Sequence, residues 1–378
     1  MAKSKTRLLF LVSEDWYFVS HRLHLAKAAL LEGFEVAIAT RIHESEFTLQ
    51  SVGLTVFPIL LERSSKNPFK EFRSILQITK IYRSYKPDIV HHVALKPCLY
   101  GSVAAIFARV PVVINALAGL GYVFTSRERY AQILRPIITT AFRLLFNRSN
   151  SCLIIQNADD QALMLGNKII TPEQAVMIRG AGVDLEVYRT TPFPEGDPLI
   201  VFAARMLWDK GLKEFVDAAR ILKDKGIKGR FVLVGTPDPQ NPASASESDI
   251  EEWVKEGVIE WWGQCSDMPI VFAQARVVCL ASYREGLPKV LIEAAACGRP
   301  IVTTDVPGCR EVVIPGESGY LVPSHNAETL ADAISELLND MPTCREFGMK
   351  GRQLVEQNFA QQIIARQTLD LYRRLLPT

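Results

Sequence analysis

The sequence predicts an α/β protein of two domains, each built around a parallel β-sheet. Apolar runs typical of buried strands alternate with amphipathic segments typical of helices, and the whole series occurs twice. At 378 residues, the chain is also too long for one ordinary hydrophobic core. A Pro-rich segment at residues 190–198 separates the two series. We therefore expect one domain over residues 1–188 and a second that begins at residue 189.

The elements follow from local patterns in each half. Short β-branched and apolar runs between turn-forming residues predict strands, and apolar residues recurring every three or four positions predict helices. First-half strands are expected at residues 7–12, 35–40, 54–59, 88–92, 111–115 and 152–156. First-half helices are expected at residues 21–32, 70–84, 99–108 and 130–147. Second-half strands are expected at residues 198–204, 230–235, 258–262, 276–280, 300–303 and 319–322. Residues 236–249, rich in Pro and Ser, predict an irregular and mobile insertion.

Composition excludes several classes of protein. The formal net charge is only +2, so no nucleic-acid partner is expected. The seven cysteines include no C-x-x-C pair, which indicates reduced thiols and a cytoplasmic location. The apolar run Leu8–Val12 is too short for a signal peptide, because Ser13-Glu14-Asp15 follows at once. No stretch approaches the roughly 18 apolar residues of a membrane span.

Common motifs of other enzyme classes are absent from the sequence. A G-x-G-x-x-G after the first strand would indicate a dinucleotide oxidoreductase, and none occurs there. The chain has no P-loop, no D-x-D and no G-x-S-x-G elbow. The histidines show no metal-ligand spacing. We therefore expect neither a cofactor nor a metal.

Two carboxylates stand eight positions apart where a loop is predicted to enter a helix. Glu285 precedes Gly286, Leu287 and Pro288, and Glu293 follows. Pro288 suits the first helical position, where its missing N–H is no loss. The N–H groups ahead of the helix would offer a phosphate site, and Glu293 could accept both hydroxyls of a ribose. Alternatively, the two glutamates only stabilise the helix dipole.

An arginine and a lysine follow the first strand of the second half. The apolar run Ile200–Ala204 delivers Arg205 at its carboxyl end, and Lys210-Gly211 follow before a helix. Ligands of open parallel sheets bind outside the carboxyl ends of the strands. Two cations there could neutralise a diphosphate without a metal. Alternatively, they are a solvated pair.

Together these segments resemble the family-4 retaining glycosyltransferases. The resemblance rests on Arg205 with Lys210-Gly211, and on the Glu-x7-Glu pattern of Glu285 and Glu293. Further matches are Gly182-Val183-Asp184, Leu233-Val234-Gly235, Trp262-Gly263, Asp305-Val306-Pro307-Gly308, Glu311 and residues 316–322. The family resemblance is specific over residues 176–325 and is weaker in the residues before 176.

The resemblance implies two Rossmann-like domains that face each other across a cleft, the architecture called GT-B. Residues 1–188 would bind the acceptor, 189–359 the nucleotide sugar, and the helix at 360–378 would cross back onto the first domain. Catalytic roles are implied for Arg205, Lys210 and Glu285. Donor contacts are implied for Gly235, Trp262, Gly263, Gly286, Leu287 and Glu293. No metal ion is implied.

The first half offers single residues as acceptor contacts rather than a motif. They follow the predicted strands: Trp16, His21, Arg22, His91, Lys96 and Asn115. Aromatic rings can stack on sugar faces, and Arg22 could meet an acceptor phosphate. Trp16 and Arg22 could equally pack between loop and helix, and one histidine of the pair His91-His92 should point into packing. Asn115 and Ala118 stand where some relatives carry a histidine or glutamate, which favours a front-face transfer without a protein base.

Residues 126–148 suggest where the acceptor is found. Five arginines (127, 129, 135, 143 and 148) occur with a single acid, Glu128, and with interleaved apolar residues such as Phe142 and Phe146. A basic amphipathic segment is typical of a membrane surface. Alternatively, it is a sheet-covering helix with solvated arginines, interrupted by Pro136. Relatives with a similar Ser-His-Arg and Gly-Leu-Gly-Tyr in their first half build bacterial surface polysaccharides on a polyprenyl-diphosphate carrier.

The prediction is therefore a metal-independent glycosyltransferase, peripheral on the inner face of the cell membrane. It would move a hexose or N-acetylhexosamine from a nucleotide-diphosphate sugar, in our expectation a UDP-sugar, to a lipid-linked saccharide. A soluble glycosyltransferase with a small acceptor and a nucleotide-sugar epimerase of the same architecture remain alternatives.

Overall fold

The chain forms two compact units, Met1–Ala181 with Gln362–Thr378, and Gly182–Gln361. The computed structural model describes residues 5–376 except 64, 66, 118, 120–128 and 240, and of residues 129–134 it describes the backbone alone. Residues 190–198 belong to the second unit.

The first unit is built on a seven-stranded parallel sheet in the order β3-β2-β1-β4-β5-β6-β7. Its strands are β1 Arg7–Glu14, β2 Glu35–Arg41, β3 Thr55–Pro58, β4 Ile89–Val93, β5 Val112–Ala116, β6 Ser151–Ile155 and β7 Ala175–Met177. Its helices are α1 Asp15–His21, α2 Leu23–Leu31, α3 Glu46–Ser51, α4 Pro68–Tyr85, α5 Leu95–Ala108, α6 Arg129–Phe146 and α7 Ala158–Gly166.

Both faces of the first sheet are buried, which explains the continuous apolar character of β1. Leu8, Phe10 and Val12 pack on one side with α1 and α2, while Leu9 and Leu11 pack on the other with α4 and α5. Directly after β1, Asp15 is buried, and its carboxylate accepts hydrogen bonds from the N–H groups of Trp16, His43 and Ser45.

The second unit repeats this plan with six parallel strands in the order β10-β9-β8-β11-β12-β13. Its strands are β8 Leu199–Ala203, β9 Arg230–Val234, β10 Glu260–Trp261, β11 Val277–Leu280, β12 Ile301–Thr304 and β13 Gly319–Val322. Its helices are α8 Leu212–Asp224, α9 Glu247–Lys255, α10 Met268–Gln274, α11 Lys289–Ala296, α12 Ala327–Asn339 and α13 Met341–Asn358. Each unit thus has the 3-2-1-4-5-6 strand order of a Rossmann-like domain.

The last helix, α14 (Gln361–Leu375), belongs to the first unit. Its side chains Ile364, Leu369 and Tyr372 are buried in the same cluster as Phe10 of β1. The first unit therefore contains both ends of the chain.

The predicted α/β class with a parallel sheet in each half is confirmed. In the first unit the sequence prediction lacks α3, α7 and β7, which are short elements of six, nine and three residues. The helix expected at residues 21–32 is divided, because α1 starts at Asp15 and the backbone leaves helical geometry at Arg22. Pro136 lies inside α6 without ending it.

Candidate functional site

The strand order of the second unit reverses between β8 and β11, the point at which open parallel sheets bind ligands. After β8, the chain makes a 3-10 turn, Trp208–Lys210, that ends at Gly211. Gly211 has a φ of +75°, and a Cβ there would lie 2.0 Å from the carbonyl oxygen of Ala281, just after β11. Glycine therefore lets the β8 turn lie against the end of β11.

This approach brings the two predicted motifs into contact. Lys210 Nζ lies 2.5 Å from Glu285 Oε1, although the residues are 75 positions apart. Ser282 Oγ donates a 2.6 Å hydrogen bond to the same carboxylate oxygen. The side chains of Lys210 and Glu285 are 21% and 11% exposed, so the pair is sheltered yet still accessible from solvent. Charge-assisted hydrogen bonds of this kind fix both groups in position.

Helix α11 begins at Lys289, one residue later than the sequence predicts. Pro288 is its N-cap, with extended dihedral angles of φ −75° and ψ 105°, so the placement of Pro288 at the first helical position was wrong. Gly286 and Leu287 lie in the loop just before this helix start. A Cβ on Gly308 would lie 2.5 Å from the carbonyl oxygen of Gly286, so a second loop packs closely on this segment. The first N–H groups of a helix have no partner within it and can bind an anion.

Glu293 lies within α11 and is held by two neighbours. Tyr188 donates a 2.8 Å hydrogen bond from its hydroxyl to Glu293 Oε1, and Lys289 Nζ lies 3.0 Å from the same oxygen. The Glu293 side chain is 9% exposed. Burial, followed by the charge of Glu293, raises the pKa of Tyr188, which keeps the phenol protonated as a donor. Tyr188 was missed by sequence reasoning, because no spacing relates it to Glu293.

Gly235, Trp262 and Gly263 lie together beyond β9 and β10. Gly235 has a φ of +132°, and a Cβ on it would lie 1.9 Å from the carbonyl oxygen of Ala204. The N–H of Gly235 donates a 2.7 Å hydrogen bond to the carbonyl of Gly263. The Trp262 indole N–H donates to Glu260 Oε2 at 3.1 Å. Through these contacts the segments that follow β8, β9 and β10 lie against one another near Arg205.

Arg205 has an acidic partner that the sequence did not indicate. Its Nη1 lies 2.6 Å from Oδ2 of Asp238, in the segment expected to be a mobile insertion. That segment is instead anchored, because Met206 N–H donates to the carbonyl of Thr236 and Ala245 N–H donates to that of Met206. The Arg205 side chain is nevertheless 47% exposed.

In the first unit the strand order reverses between β1 and β4. Trp16, in the helix directly after β1, is 49% exposed. His21 is half-buried and stacks on Tyr17, with 4.1 Å between ring centroids. At the end of β4, Ala94 has φ +78° and ψ 168°, a region that favours glycine. This strained backbone position was missed by sequence reasoning, because alanine gives no signal of it.

Arg22 and His91 are buried inside the first unit. Arg22 Nη1 donates a 3.1 Å hydrogen bond to the carbonyl of Gly180. His91 Nδ1 pairs with the hydroxyl of Tyr372 at 2.6 Å. Burial and then the Arg22 charge hold the pKa of His91 well below its usual value, so this imidazole is neutral. The structure places both residues in the interior rather than at the surface, and His91 contacts α14 through Tyr372.

Asn115 and Lys96 also have internal partners. Asn115 is completely buried, and its Oδ1 accepts hydrogen bonds from His92 Nδ1 at 2.8 Å and from Ser102 Oγ at 3.1 Å. Lys96 Nζ lies 2.9 Å from Glu71 Oε1 and also donates to the carbonyls of residues 62 and 65. Asn115 is therefore enclosed in the core, and Lys96 joins α5 to α4 and the preceding loop. Ala118 lies outside the described residues.

Helix α6 covers the sheet with part of the basic segment. Phe142 and Phe146 are fully buried, so they pack within the first unit and are not available for insertion into a membrane. Arg143 donates to the carbonyl of Asn167 at 3.1 and 2.6 Å. Arg148 remains exposed. Residues 126–128 and the side chains of residues 129–134 lie outside the described part of the chain.

No helix among the described residues is long and apolar enough to cross a membrane. Within the same residues, no group of three or more His, Cys, Asp or Glu side chains is arranged to hold a metal ion.

Two family models match the chain. Residues 186–354 match the model described as glycosyl transferases group 1, and residues 7–157 match the model described as glycosyl transferase 4-like. The two matches cover most of the second and first units, respectively.

Curated relatives include enzymes of surface glycan assembly. The chain is 28% identical to the N,N'-diacetylbacillosaminyl-diphospho-undecaprenol alpha-1,3-N-acetylgalactosaminyltransferase of Campylobacter jejuni, over 94% of this chain and 95% of that protein. It is 23% identical to the capsular polysaccharide biosynthesis glycosyltransferase CapM of Staphylococcus aureus, over 82% of each chain.

Solved structures of two further proteins have the same fold. Sucrose-phosphate synthase from Thermosynechococcus elongatus aligns with a TM-score of 0.78 at 23% identity, over 98% of this chain and 99% of that one. Anabaena HepE in complex with UDP and glucose aligns with a TM-score of 0.75 at 19% identity, over 98% of this chain and 100% of that one. At these identities the likeness extends to the fold alone.

Proposed function

This chain belongs to the family-4-like glycosyltransferases of the GT-B architecture, and from that premise we propose a specific reaction for it. A hexose or N-acetylhexosamine moves from a nucleotide-diphosphate sugar, a UDP-sugar in this proposal, to a saccharide carried on polyprenyl diphosphate. The transfer retains the anomeric configuration.

The contact between Lys210 and Glu285 is the observation that carries the proposal. It joins a cation and a carboxylate at the switch point of the second sheet, where a ligand is expected. In this proposal Arg205 and Lys210 neutralise the charge that develops on the leaving diphosphate. Glu285 contacts the transferring sugar.

The remaining donor contacts are assigned to the diphosphate, the ribose and the rest of the nucleotide in turn. The start of α11, with Gly286 and Leu287, seats the diphosphate. Glu293 accepts the ribose hydroxyls through its carboxylate, which Tyr188 and Lys289 hold in place. Gly235 and the Trp262-Gly263 segment lie beside the nucleotide.

The chemistry proceeds by a front-face displacement. The bond from the anomeric carbon to the diphosphate oxygen breaks as a bond to the acceptor oxygen forms on the same face. The acceptor hydroxyl proton passes to the departing diphosphate oxygen. The protein therefore contributes positioning and charge stabilisation, and it needs no general base. The enclosed position of Asn115 is consistent with that route.

The lipid-linked acceptor is supported by the Campylobacter relative, whose name describes an N-acetylgalactosaminyltransferase for a diphospho-undecaprenol-linked sugar. A carrier of that kind resides in a membrane, so this enzyme would work as a peripheral protein on the cytoplasmic face. The exposed Arg148 and the basic character of residues 126–148 support such a contact.

A donor and acceptor screen tests the proposal. Purified protein is incubated with a panel of UDP- and GDP-sugars and with a polyprenyl-diphosphate-linked saccharide, and both nucleotide release and label transfer to lipid are measured. The anomeric configuration of the product is determined by NMR. Excess EDTA should leave the rate unchanged, because Arg205 and Lys210 replace a metal in this scheme. The matched control is Lys210→Ala, which should strongly lower the rate of transfer with every donor.

Each alternative predicts a different result. Epimerised or free sugar without any acceptor would indicate an epimerase and contradict transfer. Equal rates with lipid-linked and short soluble acceptors would indicate a small-molecule glycosyltransferase. An inverted product would overturn the retaining route, and activity lost in EDTA but restored by Mg²⁺ would overturn metal independence.

A further inference from the structure

The outward face of α4 carries a stripe of exposed apolar and basic side chains. Phe69, Phe72 and Leu76 are 84%, 62% and 53% exposed, at the three- and four-residue spacing of one helix face. Basic residues at the same spacing continue this face toward the end of the helix, and all are exposed. The α4 stripe consists of Phe69, Phe72, Arg73, Leu76, Lys80 and Arg83.

The opposite face of α4 packs on the sheet through Ile78, Tyr82 and Tyr85. The only acid in α4 is Glu71, which pairs with Lys96 and is 15% exposed. The stripe therefore presents three cations and no carboxylate beside three uncovered apolar side chains. This combination is typical of a helix that lies on an anionic membrane surface.

The stripe continues onto neighbouring helices of the first unit. Helices α4, α5 and α6 cover one face of the sheet. Phe107 of α5 is 62% exposed, and its carbonyl accepts a 3.2 Å hydrogen bond from Arg83. On α6, Ile137 and Leu144 are 63% and 69% exposed. Seven of the sixteen exposed large apolar side chains among the described residues lie on these three helices, so apolar exposure is concentrated there.

We propose that the α4 stripe, with the adjoining outward faces of α5 and α6, is the surface that docks this enzyme on an anionic bilayer. This inference rests on the proposed function and moves the principal contact from residues 126–148 to α4. The reason is that α6 buries Phe142 and Phe146, whereas the three large apolar side chains of the α4 stripe are exposed.

Charge decides between a membrane and a second copy of the chain as the partner. A second copy joined through this face would present the same cations, Arg73, Lys80 and Arg83, and no carboxylate of the stripe to pair with them. Like charges in contact oppose association. Anionic headgroups instead pair with these cations while Phe69 and Phe72 enter the interfacial region.

Vesicle co-sedimentation of the full chain tests this surface. Vesicles of 70% phosphatidylcholine and 30% phosphatidylglycerol are compared with vesicles of phosphatidylcholine alone. The charge variant Arg73→Glu, Lys80→Glu, Arg83→Glu should weaken binding to anionic vesicles by roughly a hundredfold or more, since each basic residue contributes on the order of 1 kcal/mol there. The apolar variant Phe69→Ser, Phe72→Ser, Leu76→Ser should weaken binding even at high salt, where electrostatic attraction is screened.

The matched control is Phe47→Ser. Phe47 is 82% exposed on α3, which packs on the other face of the sheet, so its loss should leave vesicle binding unchanged. Circular dichroism and UDP-induced thermal stabilisation confirm that each variant is folded and keeps its donor site.

The outcomes separate this inference from the proposed function. If both α4 variants bind like the native chain while Arg143→Glu with Arg148→Glu does not, the α4 inference fails and the peripheral location stands. If the native chain does not bind anionic vesicles but transfers sugar to a lipid-linked acceptor, the inferred docking surface is wrong and the proposed activity stands. If native self-association is lost in the apolar variant without any vesicle binding, the partner is a second copy.

Discussion

The two units present their predicted site residues in opposite ways. In the second unit, Lys210 and Glu285 meet at the sheet edge and remain partly exposed. In the first unit, His91 and Asn115 have their hydrogen-bond partners inside the core. The contrast shows that polar residues of spaced motifs can meet at a sheet edge, whereas isolated polar residues of neighbouring strands can be enclosed in the core.

The largest expected effect is at the paired motif. Lys210→Ala should lower kcat/KM, with a loss of about 2–4 kcal/mol of transition-state stabilisation. The reason is that the variant removes a preorganised cation from the leaving group. Glu285→Gln keeps the shape of the side chain and should depress kcat more than donor affinity. The measurement is steady-state kinetics with donor and acceptor varied separately.

A double-mutant cycle provides the control for that prediction. Because Lys210 and Glu285 are in contact, the combined variant should lose much less than the sum of the single losses. Fully additive losses, or a loss below threefold for Lys210→Ala, would contradict the assigned site.

The first unit should respond to pH in stability rather than in chemistry. Burial lowers the pKa of His92 from 6.5 to about 4, although its hydrogen bond to Asn115 acts in the other direction. Below pH 6.5 the unfolded chain therefore binds a proton at His92 that the folded chain does not bind. The contribution of neutral His92 to the free energy of unfolding is fully present above pH 6.5 and is lost as the pH falls toward 4. For His92 alone, the loss by pH 5 is roughly 2 kcal/mol.

Urea unfolding at pH 7.5 and pH 5.0 measures this effect. His92→Gln should be less stable at pH 7.5 yet lose less stability between the two pH values than the native chain. An equal loss in both proteins would show that the buried neutral imidazole is not responsible.

These regions also show how far the sequence could predict the structure. The repeated alternation of strands and helices predicts both sheets, and the two spaced motifs single out Lys210 and Glu285 as site residues, although not the ion pair between them. Tyr188 and Asp238 could not be found, because each reaches its partner only through folding: Tyr188 is 105 positions from Glu293, and Asp238 is 33 from Arg205. The buried state of Asn115 depends on α5 supplying Ser102, which strand patterns alone do not reveal.

A smaller effect is expected where a side chain only contacts the donor. Glu293→Ala should raise the donor KM about tenfold and change kcat little, because ribose contacts are the same in the ground and transition states. Tyr188→Phe removes one hydrogen bond to Glu293 and should also raise the donor KM. This rise should be smaller, because the lost hydrogen bond is worth about 1 kcal/mol of donor binding. A fall in kcat with unchanged KM would place Glu293 at the reacting sugar instead.

The smallest effect concerns the second ion pair of the site. Arg205 is 47% exposed and Asp238 is 18% exposed, so their pairing should contribute at most about 1 kcal/mol to stability. In the absence of donor, the Asp238 carboxylate occupies Arg205 much as a phosphate oxygen would. Asp238→Asn should therefore release Arg205 and lower the donor KM by up to about fivefold.

Asp249→Asn is the matched control for that variant. Asp249 lies farther along the same segment and pairs with Ser246 in a helix cap, so its loss should leave the donor KM unchanged. A donor KM that rises in Asp238→Asn would show that the carboxylate orients Arg205 for binding. In that case Asp238 would orient Arg205 as Glu285 orients Lys210. Both ion pairs would then hold a cation in position for the same diphosphate.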